Sequence, residues 1–171
     1  VKSDVSNRVA HRTETASCEY TQRDLLSDEV GISDVTGKKT AESELISSAK
    51  SGRRGRPEEC VECSVTQKVL LNDEVATSAV SGLVADKSLF RPSSITGRLA
   101  LANELIDCEF SGAQLLPEES AISSVSGRKV DSRLLLKSAF SKYRALPDEM
   151  ITCTVSGRRG VPHDGKRCEE S

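Results

Sequence analysis

The sequence predicts an all-β repeat array of 15-residue β-hairpin-like units with at most single helical turns, elongated or superhelical in form. Three observations lead there. A Ser or Cys recurs every 15 residues, at Ser3, Cys18, Ser33, Ser48, Cys63, Ser78, Ser93, Cys108, Ser123, Ser138, Cys153 and Cys168, without an insertion. The residue three places on is always Ser or Thr, from Ser6 to Ser171. A glycine follows that hydroxyl in most copies. Self-similarity at a fixed period marks an array in which each unit contacts mainly its neighbours.

The elements follow in order along the unit. The third position is apolar between polar neighbours, at Tyr20, Val35, Val65, Val80, Ile95, Phe110, Val125, Phe140 and Val155, the pattern of a strand with one buried face. Lys50 breaks it. At the fifth position Gly37, Gly52, Gly82, Gly97, Gly112, Gly127 and Gly157 predict a backbone with positive φ; Asn7, Gln22, Gln67 and Lys142 stand in elsewhere. A second apolar stretch comes next, exemplified by Leu25-Leu26, Leu70-Leu71 and Leu115-Leu116. Pro117-Glu118-Glu119 and Pro147-Asp148-Glu149 then suit the first turn of a helix or a tight corner, since proline is tolerated there and acids favour the amide-rich end. Too few residues remain before the next Ser or Cys for a longer helix. Basic residues after the glycine and acids before the next unit are expected to form ladders between neighbours. Their gain is register, because an exposed pair contributes only about 0–1 kcal/mol.

Three units form a 45-residue super-repeat, marked by Cys18, Cys63, Cys108 and Cys153. Amplification in blocks of three and one superhelical turn per three hairpins both account for it. Residues 1–17 read as a degenerate first repeat, 18–167 as ten repeats and 168–171 as the start of another. With no initiating Met and a stop in mid-motif, the chain is expected to be a fragment of a longer protein.

Composition excludes several classes. Aromatic residues make up 3% of the chain and Trp is absent, which suits a thin buried seam. The net charge of -2 gives no field of one sign to draw in nucleic acid or an anionic membrane, and no run approaches the roughly 18 apolar residues of a membrane span. Six widely spaced cysteines are unlike the framework of a small secreted domain, and no Asn-x-Ser/Thr acceptor or signal-peptide pattern occurs, so a cytoplasmic setting with free thiols is expected. Their even number leaves pairing in an oxidising setting open.

Catalysis finds little support, because hydroxyls and acidic pairs that recur in every unit are structural, and the acids are expected to be solvated. His11 reads as a surface residue and not a general base. Ser-Gly-Arg-Lys turns could cradle phosphate, but each has an acid nearby. The fragment Cys-x-x-Ser/Thr-Gly, as in Cys108-Glu109-Phe110-Ser111-Gly112, resembles the Cys-x-x-Cys-Gly knuckle of zinc ribbons with its second ligand replaced by a hydroxyl. The resemblance covers the whole chain on a short pattern. It implies degenerate tandem knuckles that kept the turn and lost most metal ligands, since structural zinc takes four Cys or His. Candidate zinc ligands are Cys60 and Cys63, the one Cys-x-x-Cys, and Cys153, His163 and Cys168. Cys18 and Cys108 fill the small buried slot that Ser fills elsewhere. The expected function is a non-enzymatic scaffold, spacer or self-associating array with protein partners and no cofactor. The alternative is a nucleic-acid-binding array of zinc-ribbon descent.

Overall fold

A computed structural model describes residues 1–165. Among these, the chain forms successive two-stranded antiparallel hairpins with strands of two or three residues. It divides into two compact units, one of Val1–Thr77 with Leu83–Ser88, the other of Ser78–Gly82 with the chain from Leu89 onward. Each is an array of the same hairpin.

The strands lie on either side of the Ser/Cys motif and not upon it. Thr15–Ser17 pairs with Asp24–Leu26, with Thr15 opposite Leu26, Ala16 opposite Leu25 and Ser17 opposite Asp24. The same register returns at Ser120–Ile122 with Lys129–Asp131 and at Cys60–Glu62 with Val69–Leu71. The first to fifth positions make the connecting turn. In it the Ser33 amide donates to the Lys38 carbonyl at 3.0 Å and the Gly37 amide donates to the Ser33 carbonyl at 2.8 Å. Gly37 has φ 72°, as the closure requires.

The expected glycine role therefore stands, and Asn7, Gln22 and Gln67 adopt the same conformation at φ 61°, 57° and 56°. Lys142 does not share it, and its turn is a looser series of bends. The third position corrects the sequence reading: it sits in the turn, so Val65 is 50% exposed, Phe110 52% and Val155 95%. Alternation with polar neighbours mimicked a strand there because a turn also places successive side chains on different sides.

Burial falls instead on the eighth and ninth positions. The eighth is the strand residue facing inward, as at Leu25, Leu70, Leu115 and Val130, and the ninth opens the corner, as at Leu26, Leu71, Leu116 and Leu146. This is why the apolar residues come in adjacent pairs, which a strand with one buried face does not produce. Cys108, Leu115, Val130, Leu135 and Leu146 form one cluster with Ile95, Ala113, Ala121 and Leu134 against it. Cys18, Leu25 and Ala41 form another beside Tyr20 and Val30. Three-residue 3-10 turns such as Pro57–Glu59, Pro117–Glu119 and Pro147–Glu149 make the corners, and Pro162–Gly165 is a single α-helical turn.

A Cβ added at Gly127 meets nothing within 4 Å, so its φ of 73° is the whole cost of a side chain there. Gly127→Ala is expected to destabilise the fold and Gln67→Gly to stabilise it, each by about 1–2 kcal/mol, the cost of a left-handed residue with a Cβ. Urea unfolding of the two variants checks both signs.

Candidate functional site

The polar groups that recur in every unit converge where one hairpin meets the next. Ser3, Ser33, Ser93 and Ser138 are buried and donate their hydroxyls to Glu29, Glu59, Glu119 and Asp164, 26 residues on, at 2.5, 2.6, 2.5 and 2.5 Å. Ser48, Ser78 and Ser123 bond Glu74, Glu104 and Glu149 in the same way. Each serine oxygen also accepts amides of its own turn; Ser33 Oγ takes Val35 at 3.2 Å and Thr36 at 3.3 Å. Each carboxylate also accepts an amide at the ninth position of its own unit, as Glu119 does from Leu116 at 2.8 Å and Glu59 from Arg56 at 2.9 Å. At the Ser33–Glu59 joint one hydroxyl and one carboxylate thus satisfy three backbone donors and join two units.

Two further contacts reinforce the joint. The second-position amide donates to the seventh-position carbonyl of the next unit, from Asp4 to Asp24 at 2.9 Å through Ala139 to Arg159 at 3.0 Å. The expected charge ladder is present at the sixth and eleventh positions: Arg8 pairs with Asp28 at 2.8 Å, Arg53 with Asp73 at 2.7 Å, and Arg98 with Glu118. The twelfth-position acids correct the expectation of a solvated face. Glu119 is only 8% exposed and Glu74 9%. Their pairing with Ser was missed, although the 26-residue spacing is visible in the sequence.

Burial alone would raise these carboxyls, yet hydrogen bonding wins. The hydroxyls of Ser93 and Thr96 and the Leu116 amide hold Glu119 below the usual range. The Glu59 carboxyl, bonded by Ser33, the Arg56 amide, Thr36 and Tyr20, comes down to about 2. Arg56 adds a local feature: it is buried at a position where Leu26, Leu71, Leu101, Leu116 and Leu146 stand in other units, its guanidinium lies 4.3 Å from the Tyr20 ring, and it pairs with Glu58 at 3.1 Å.

Cysteine joints differ in chemistry. Burial pushes the Cys63 thiol up, but the Thr66 hydroxyl and the amides of Thr66, Asp86 and Val65 bring it down to about 7. Cys108 is lowered by the equivalent set, Ser111 and the amides of Ser111, Asp131 and Phe110, against the same opposing burial. Cys18, Cys63 and Cys108 fill the slot that serine fills elsewhere.

The candidate metal ligands fall in different settings. Cys60 sits half-buried opposite Leu71, its thiol raised by burial and by Glu59 and Glu74, whereas Cys63 lies buried at the head of the following turn. Cys153 is half-buried and His163 exposed; Cys168 lies outside the described residues. Among the described residues, no three His, Cys, Asp or Glu side chains gather as a metal site, and Cys18, Cys60, Cys63, Cys108 and Cys153 are free thiols. His11 is exposed and holds its own corner, its amide donating to Glu14 at 3.2 Å. Among the described residues no helix is long and apolar enough to cross a membrane. No protein-family model matches the chain, and no curated protein or solved structure matches it either.

A carboxyl held low in the folded chain contributes stability that is complete above its unfolded value and is lost as pH falls through the folded one. Stability is therefore expected to fall progressively as pH drops from about 4.5 towards 2, the window set by Glu59, which a urea series across acid pH checks. Ser123→Ala, which strips the hydroxyl from the buried end of Glu149, is expected to cost about 1–3 kcal/mol in the same assay.

Proposed function

We propose that the chain is a non-enzymatic structural and protein-interaction repeat module, a scaffold or spacer that associates with further copies of itself. The observation that carries this is the division of labour within the unit. The hydroxyls, acids and arginines of the motif are spent on the neighbouring hairpin. Six third-position side chains face solvent: Val35 and Val65 in one compact unit, Val80, Phe110, Phe140 and Val155 in the other. A row of apolar side chains on a fixed repeat is a surface suited to a partner with the same periodicity. Strands of two or three residues are poor templates for edge pairing, so contact through these side chains is favoured over strand addition.

Descent of the units from zinc-ribbon knuckles belongs to this reading. Its support is the turn, in which the first-position sulfur or hydroxyl accepts the amide three residues on, at 3.4 Å for Thr66 on Cys63 and 3.3 Å for Thr36 on Ser33. A role in nucleic-acid binding is disfavoured by the pairing of Arg8, Arg53 and Arg98 with acids of the next unit, since arginines already paired with carboxylates displace few counterions from phosphate.

Sedimentation velocity at rising concentration tests the proposal. The native chain is expected to show faster-sedimenting species, and a variant carrying Val65→Ser, Val80→Ser, Phe110→Ser and Phe140→Ser is expected to remain monomeric. A monomer at all concentrations that binds a mixed-sequence oligonucleotide at low salt, and releases it as salt rises, overturns the proposal.

A further inference from the structure

The joints between successive hairpins come in two chemistries, and the residues on both sides change together. In a serine joint the following unit carries an acid at its twelfth position and usually an apolar residue at its ninth. Ser93 faces a unit with Leu116 and Glu119, and Ser123 one with Leu146 and Glu149. In the joint made by Cys108 the following unit carries Asp131 at the ninth position and Leu134 at the twelfth. Leu134 packs against the cluster that contains Cys108, so an apolar side chain stands where a serine joint has its carboxylate. Asp131 turns to its own corner, accepting the Arg133 amide at 2.9 Å and its guanidinium at 2.9 Å. Cys63, in the other compact unit, is likewise followed by an aspartate at the ninth position. Asp86 accepts the Ser88 amide at 2.8 Å and Lys50 at 2.5 Å, and in the sequence the residue three places after it is Leu89.

Physical chemistry makes the two sets exclusive. A buried serine hydroxyl opposite Leu has no acceptor for its proton, and a buried carboxylate opposite Cys loses a strong donor for a weak one. Cys18 shows how a mixed joint is repaired. The residue 26 places on is Glu44, not Leu, and the following unit alone places a threonine, Thr40, at the buried eighth position, held by Leu, Val, Ala or Gly in the other hairpins. Thr40 Oγ1 donates to Glu44 at 3.1 Å and accepts from Cys18 Sγ at 3.8 Å, so one added hydroxyl relays between the mismatched partners.

We propose that the first-position residue of each unit and the twelfth-position residue of the next form a selectivity pair, Ser with acid and Cys with Leu, that determines which hairpin can follow which. The pair is a recognition device between repeats and holds whatever the exposed third-position side chains bind.

The test is a set of exchanges in the full chain, read by thermal midpoint. Cys108→Ser and Leu134→Glu are each expected to lower the midpoint by several degrees, and the double variant to recover most of the loss. The double variant is also expected to gain acid sensitivity, because it installs one more carboxylate joint. Doubles that fall by the sum of the singles, or singles as stable as the native chain, overturn the proposal. If neither single folds, recovery in the double supports it. If the double fails as well, the milder change at Thr40 decides: Thr40→Val is expected to lower the midpoint, and Cys18→Ser on that background to restore it by letting a serine hydroxyl reach Glu44 directly. Absence of that rescue overturns the proposal.

Discussion

A buried hydroxyl donating to a buried carboxylate, across the boundary between one hairpin and the next, is the interaction on which the structure depends. An isolated two-stranded hairpin is marginal in water, and these have strands of only two or three residues. The turn leaves amides pointing inward on one side and the corner leaves another on the other side. Ser33 and Glu59 between them take the Val35, Thr36 and Arg56 amides, so the polar backbone of both units is satisfied only when the units are joined. Leu115, Val130 and Leu146 can then be buried close to that polar line without a thick core.

This arrangement gives a structural account of many chemically capable residues. Ser, Glu and Arg recur in positions that suggest nucleophile, acid and anion clamp, but at the joints they are bonded to a fixed neighbour. The lowered thiol of Cys63 has the same origin as the lowered carboxyl of Glu59, namely backbone and hydroxyl donors aimed at one acceptor. Such values arise at load-carrying joints as well as at catalytic centres.

Much of the fold was legible because period, turn and charge are local signals. The 15-residue interval, the positive φ at Gly37 and its equivalents, and the Arg8 to Asp28 ladder all follow from residues read along the chain. What was not legible is which face of the unit is inside. Val35 and Phe110 look like strand residues by alternation but lie in the turn, because alternation reports a change of side and not the burial of either side. The adjacent leucines, Leu25-Leu26 and Leu115-Leu116, carried the burial signal. Glu74 and Glu119 looked solvated because acids usually are; only their spacing from Ser48 and Ser93 shows a partner that makes burial tolerable. The candidate joint was thus half visible, its serine slot foreseen and its acceptor overlooked.

The cysteine joint at every third boundary bears on how such a chain can change length. Removing the single hairpin 78–92 would bring Cys63 up to the unit of Glu104, whose carboxylate now bonds Ser78. Removing the 45 residues 63–107 would leave each remaining serine facing an acid 26 places on and Cys108 facing Leu134. Loss or gain of whole triplets thus disturbs the boundaries less than loss or gain of a single hairpin.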